Sequence, residues 1–234
     1  MTVRRIAGVA LIGAVLAGAV PASAQSPSPT FTFDVPCASP ASGLAFSGTG
    51  YTPGGEVALL FVREGRIESF ATRADAAGAI AGRVGVPDPD EFLDDDEFAG
   101  EVSATANDQA RMEQGAPLES QFAPAEFRLS RFEVYAPQSP RPGRRVRFRA
   151  AGFVGEAGRP LYLHYRRGGR TLATVRLGKL RGPCGDLTKT VRAFPFHPVR
   201  AGAYKLVFTT AKRVSANAQS ITYTVRVSRR AAIG

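Results

Sequence analysis

The side chains with the most chemical potential in this chain are arginines. Arg145, Arg147 and Arg149 alternate with Val146, Phe148 and Ala150, so a β-strand would place the three guanidinium groups on one face. Arg166, Arg167 and Arg170 flank Gly168-Gly169 and would meet at one hairpin tip, and Arg176, Lys179 and Arg181 form a third group. Guanidinium forks pair well with phosphate and carboxylate, which makes Arg145, Arg147, Arg149, Arg166, Arg167 and Arg170 candidates for binding a polyanion. The alternative is a set of solvated arginines on outer strand faces, where charge also deters edge-to-edge aggregation.

The densest anionic segment runs Asp88-Pro89-Asp90-Glu91-Phe92-Leu93-Asp94-Asp95-Asp96-Glu97, with seven carboxylates in ten residues. It reads as a solvated loop, as a calcium site, or as a docking loop for the arginines, with Asp90, Asp94, Asp95 and Asp96 as the docking candidates. The EF-hand spacing fails, because Phe92 and Leu93 occupy positions where a ligand and a glycine belong, and no metal site is assigned. His164 and His197 are the only histidines. A hydrolytic triad needs one of them near an activated Ser and an orienting carboxylate. From Ala125 onward the acids are only Glu126, Glu133, Glu156 and Asp186, and no nucleophile elbow is present. One histidine is expected half-buried in a sandwich wall and the other capping a loop. No catalytic residue and no cofactor is assigned, and a hydrolase is the most distant reading. Two Cys and two His at these separations do not make a zinc site. The absence of Trp disfavours a sugar-stacking platform.

Charge divides along the chain. From Gln25 to Pro124 there are 16 Asp or Glu against 5 Lys or Arg, whereas from Ala125 to Gly234 there are 23 Lys or Arg against 4 acids. The second half should attract polyanions, and the two halves should attract each other. A GC-rich coding bias would explain Arg over Lys but not this segregation. At the N-terminus, Arg4 and Arg5 precede 15 apolar or Gly residues from Ile6 to Val20, then Pro21 and the small residues Ala22-Ser23-Ala24. That pattern reads as a secretory signal cleaved before Gln25, since the apolar run falls short of the roughly 20 residues that span a bilayer. Export permits a disulfide. Cys37 and Cys184 fall in different halves, so a bridge would staple the halves together; two separate thiols are the alternative.

After a linker at 25–29, short strands and turns follow one another. Phe31, Phe33 and Val35 alternate with polar residues, Val57 to Val62 is apolar throughout, and Glu64-Gly65-Arg66 makes a tight hairpin. The second half repeats the plan. Gly152-Phe153 matches Gly50-Tyr51, Leu161-Tyr162-Leu163-His164-Tyr165-Arg166 matches the strand at Leu59 to Arg63, and the segment from Arg200 to Leu206 parallels Glu97 to Val102. An offset of about 100 residues indicates an internal duplication. The expected architecture is all-β: a signal peptide at 1–24, an acidic sandwich at 30–130, a basic sandwich at 131–229 and a short tail at 230–234.

The stretch Ser47-Gly48-Thr49-Gly50-Tyr51-Thr52-Pro53-Gly54-Gly55, with Val57 and Asp75-Ala76-Ala77-Gly78 downstream, resembles the small immunoglobulin-like modules of exported actinobacterial proteins. The neocarzinostatin-type apoprotein domain is a distant example. The residues around Tyr162 to Gly169 and Gly182-Pro183-Cys184-Gly185 are similar to a C-terminal domain of exported actinobacterial proteins. The resemblance implies two tandem immunoglobulin-like β-sandwiches and a location outside the cytoplasm. It carries over no catalytic residues. The first module lacks the internal disulfides of the chromophore-binding proteins, which argues against ligand binding of that kind.

The expected function is a non-enzymatic binding or structural module at the cell envelope. Its basic domain would contact an anionic envelope polymer or an acidic protein surface. Nucleic acid would be met outside the cell only as debris. The competing reading is self-association, with acidic first domains meeting basic second domains head to tail.

Overall fold

The computed structural model describes residues 27–137 and 139–228. The signal segment 1–24 and the tail 230–234 lie outside the described residues. The first half folds into strands β1 (Thr30–Phe33), β2 (Cys37–Ala38), β3 (Leu44–Thr49), β4 (Glu56–Arg63), β5 (Arg66–Arg73), β6 (Ile80–Val84), β7 (Ala99–Asp108) and β8 (Phe122–Ser130). One sheet has the order β1-β3-β6 and the other β2-β8-β7-β4-β5. The period of two decides which side chains meet between them. On β4, Val57, Leu59 and Phe61 are fully buried, while Ala58 and Leu60 are half-covered and Val62 is exposed. The apolar run there is therefore buried on one face only. Phe61 stacks edge-on against Phe127 of β8 at 5.6 Å, and Phe127 in turn meets Phe33 of β1 at 5.0 Å, an arrangement favoured by the ring quadrupoles.

The second half supplies β9 (Glu133–Tyr135), β10 (Arg145–Ala151), β11 (Pro160–Arg167), β12 (Arg170–Lys179), β13 (Leu187–Arg192), β14 (Gly202–Thr209) and β15 (Ser220–Val227). Its sheets have the orders β13-β10-β9 and β12-β11-β14-β15. Strand for strand this is the first plan again, apart from β2, which pairs parallel to β8 and has no counterpart among the described residues. The protein is thus two tandem immunoglobulin-like β-sandwiches, each with its own buried cluster.

The repetition reaches the turns. The β4–β5 hairpin turns on Glu64 (φ 50°) and Gly65 (φ 82°), and the β11–β12 hairpin on Gly168 (φ 51°) and Gly169 (φ 78°). Positive φ at both central residues matches the twist of the flanking strands. A Cβ on Gly78 would lie 2.3 Å from the Tyr51 carbonyl oxygen, and one on Gly185 would lie 2.1 Å from that of Phe153. The same close approach of a turn to the loop that follows β3 or β10 recurs in both sandwiches.

Among the described residues three short helices interrupt the all-β pattern: α1 (Pro89–Phe92), α2 (Gln109–Glu113) and α3 (Leu118–Gln121). α1 starts where Asp88 caps the Asp90 amide and Pro89 opens the first turn, a favoured start for a helix. α2 starts at Asp108, which is completely buried. Its carboxylate accepts from the Thr52 amide (2.7 Å), the Thr52 hydroxyl (2.9 Å) and the Arg111 amide (3.2 Å), and it pairs with Arg111 Nε at 3.3 Å. Arg111 spends its remaining donors on the carbonyls of Gly50, Ser120 and Pro27. This clamp ties the chain entering β1 to the helices at the far end of the first sandwich. Burial, with the Asp108 charge adding to it, pushes the nearby Tyr51 phenol well above its ordinary range. Asp108→Ala would strand the buried guanidinium and is expected to lower the stability of the first sandwich by about 3–5 kcal/mol. Urea unfolding checks this, and a loss below about 1 kcal/mol would be the cost of an ordinary cap alone.

Candidate polyanion-binding cleft

The two sandwiches are joined by more than the chain. Cys37 on β2 and Cys184, in the turn between β12 and β13, form a disulfide with an S–S distance of 2.11 Å and a Cα–Cα distance of 5.3 Å. Beside it the buried Ser39 hydroxyl donates to the Gly152 carbonyl at 3.1 Å. Arg131 lies where the chain passes from one sandwich to the next. Its amide donates to the Phe98 carbonyl and its Nε to the Glu97 carbonyl, both at 2.9 Å. Its guanidinium also reaches the Leu93 and Asp94 carbonyls and pairs with the Asp90 carboxylate.

The acidic segment is therefore more than a solvated loop. Phe92 and Leu93 are buried in the first core, and Glu97 pairs with Arg63 at 2.7 Å while Arg63 also donates to the Phe92 carbonyl at 2.6 Å. Of the docking candidates, Asp90 meets Arg131 through its carboxylate and Asp94 through its carbonyl. Asp95 and Asp96 are exposed and form no ion pair among the described residues. No three acidic, His or Cys side chains converge as a metal site among the described residues.

The six candidate arginines do not form one site. Arg145, Arg147 and Arg149 share the outer face of β10, opposite the buried Val146, Phe148 and Ala150. Arg149 is turned toward the first sandwich, with its guanidinium 3.9 Å from the Phe98 ring centroid, a cation–π contact. Arg145 reaches the Thr190 carbonyl at 3.3 Å. Arg166 donates to the Gly169 carbonyl at 2.7 Å, and Arg167 donates to the Ala201 carbonyl at 3.0 Å and the Tyr204 hydroxyl at 3.2 Å. Arg170 is exposed at the hairpin tip.

Arg147 and Arg149 instead join residues from the other end of β12. A cleft of about 760 Å³ is lined by Arg147, Arg149, Lys179, Arg181, Asp186 and Lys189, where the edges of β12 and β13 face each other. Among the described residues none of its five cations has a carboxylate partner within ion-pair distance. Asp186 is the one acid lining it. The Asp186 carboxyl is raised above the ordinary aspartate range by partial desolvation, against the pull of Arg128 and Arg149; because its side chain still meets solvent, that effect is modest. Lys189 was not among the sequence candidates. Pairing of β10 with β13 sets it opposite Phe148 at the sheet edge, a register that no local pattern reveals.

His164 is not half-buried but almost wholly enclosed, at 1% exposure. Its Nε2 lies 3.2 Å from the Ala211 carbonyl, which only accepts, so Nε2 carries a proton, and Nδ1 is hydrogen-bonded to the Thr174 hydroxyl at 2.9 Å. Both ring nitrogens are thus engaged within the fold. His197 is exposed beside the cis peptide to Pro198. No helix among the described residues is long and apolar enough to cross a membrane.

No family model matches the chain, and no curated protein matches it. Solved structures similar to it include a tetra-tandem repeat from the extending region of a large adhesion protein. That likeness is 14% identical, covers 86% of this chain and 49% of the other, and has a TM-score of 0.30. A Ca2+-stabilized adhesin of an Antarctic bacterium is 14% identical over 87% of this chain and 50% of its own, with a TM-score of 0.29. Trypsin-activated alpha-2-macroglobulin from Escherichia coli is 12% identical over 84% of this chain and 18% of its own, with a TM-score of 0.34. The chain spans about half the length of the two adhesin structures. By its own fold it is a tandem immunoglobulin-like β-sandwich protein whose second module carries an open basic cleft.

The Arg63 hydrogen bond holds the Glu97 carboxyl below the ordinary glutamate range, helped by the Asp94 amide and by the Arg63 and Arg131 charges. A lowered folded pKa stabilises the fold above the unfolded value, about 4.3, and that contribution is lost as pH falls through the folded value. The stability difference between the natural protein and Glu97→Gln should therefore be present at neutral pH and vanish in acid. Denaturation midpoints across a pH series check it; a difference that persists in acid would assign Glu97 a role other than its charge.

Proposed function

We propose that this is an exported, non-enzymatic binding or structural protein of the cell envelope whose basic second sandwich contacts an anionic polymer. The observation that carries this reading is the cleft, where five cations from three strands and the β12–β13 turn surround an open space with a single carboxylate. Fixed cations held near one another in excess over a single carboxylate attract a polyanion and release its counterions on binding. The ion pair between the acidic segment and the junction goes to Arg131, and Phe98 meets Arg149; among the described residues Lys179, Arg181 and Lys189 pair with no carboxylate, so internal pairing does not consume those cations. An envelope polymer rich in phosphate or carboxylate is the natural counterpart outside the cell, and the leader at 1–24 supplies the route there. Self-association is the second reading, favoured by the exposed, unpaired Asp95 and Asp96, which a neighbouring molecule's cleft could accept.

Co-sedimentation of the whole protein with purified cell walls across a salt series tests both readings. Binding should fall as salt rises, and Lys179→Glu/Lys189→Glu should weaken it and reduce the log–log salt slope by about two. Retention that ignores salt, or that ignores the double substitution, would contradict the polymer reading. A mass that grows with concentration and collapses in high salt would favour self-association.

A further inference from the structure

At the far end of the second sandwich lies another cationic feature, independent of the cleft. β11 and β14 pair so that Arg166 is directly opposite Lys205, and β14 and β15 pair so that Lys205 is opposite Thr224. The three side chains form one row on the outer face of that sheet. Like charges set directly opposite each other across a ladder repel, and neither cation has a carboxylate partner within ion-pair distance among the described residues. The register of β11 against β12 shifts between Tyr165 and Arg166, the kind of irregularity that re-aims a side chain.

Arg166 is anchored by its Nη2 bond to the Gly169 carbonyl at 2.7 Å. Its Nε is enclosed and has no acceptor, so among the described residues that single bond leaves most of the guanidinium's five N–H donors unmet. A pocket of about 400 Å³ opens at this place, lined by Arg166, Gly168, Gly169, Ala203, Lys205 and Thr224, with Arg167 at its rim and no carboxylate in its wall.

We propose that this pocket binds a single phosphate group, with the Arg166 guanidinium and the Lys205 ammonium as charged donors and the Thr224 hydroxyl as a third. Donors arriving from three strands suit a tetrahedral oxyanion with several acceptor oxygens better than a planar carboxylate with two. β12 runs from this hairpin to the cleft, from Arg170 to Lys179, which separates the two sites by about 30 Å. The phosphate site therefore stands or falls apart from the polymer reading.

The test is a titration of the whole protein with inorganic phosphate at constant ionic strength, observing the Gly168 and Gly169 amides and the Arg166 Nε–H by NMR. These signals should shift and saturate together. Lys205→Gln, at an exposed position, should weaken the apparent affinity about tenfold through loss of one charge-assisted hydrogen bond. A parallel titration with dimethyl phosphate separates the sources. Saturation by inorganic phosphate alone assigns the pocket to free phosphate or a terminal phosphomonoester, and saturation by dimethyl phosphate assigns it to a phosphodiester within a chain. No saturable shift with either probe, or a Lys205→Gln variant of unchanged affinity, overturns the proposal.

Discussion

Two bodies of opposite charge on one chain attract each other, and on a loose tether the acidic one would settle over the cations of the other. The Cys37–Cys184 bond fixes a different contact. It closes a loop of 147 residues, a constraint that removes about 5 kcal/mol of unfolded-state entropy in the loop-closure account. It brings β2 and the β12–β13 turn together, alongside the Ser39–Gly152 hydrogen bond and the Arg131 contacts. The attraction between the halves is then taken up at Arg131, and at Arg149 against the Phe98 ring. The remaining cations of the second sandwich keep their charge for something outside the molecule.

This joint is an addition to a duplicated plan. Where the first sandwich turns through Asp75-Ala76-Ala77-Gly78, the second turns through Gly182-Pro183-Cys184-Gly185, and both turns end in a glycine pressed against a loop carbonyl, that of Tyr51 or Phe153. Cys184 is mounted in a turn whose geometry the fold already requires. Its partner is carried by β2, the one described strand without a counterpart among the described residues. Two small departures from a common architecture thus convert tandem modules into a coupled pair.

What the sequence disclosed were features set by neighbours along the chain. The alternation of Arg145, Arg147 and Arg149 with apolar residues, the glycine hairpins and the duplication are local periodicities, and each corresponds to a strand or turn of the structure. The Asp88-Pro89 start of a helix was equally local, but the run of carboxylates around it masked the signal. What stayed hidden depends on long-range register. Lys189 reaches the cleft only because β13 pairs with β10, and Arg149 turns toward Phe98 only because the sandwiches meet there. Asp108 and Arg111 look like ordinary surface charges until Thr52, Gly50 and Ser120 close around them. His164 points to the outer face of its sheet, where solvent is the default, and is enclosed because the backbone at Ala211, beyond β14, covers it.

The central claim is that the joint leaves the cleft open and that the cleft is the surface that meets an anionic polymer. The chain has four lysines, Lys179 and Lys189 in the cleft, Lys205 at the hairpin pocket and Lys212 in an exposed loop, so amine-reactive labelling read by mass spectrometry reports on it directly. All four should label readily in the free protein, and wall polymer should protect Lys179 and Lys189 while Lys212 keeps its rate. Resistance of Lys179 and Lys189 to labelling in the free protein, or equal labelling with and without polymer, would contradict the account.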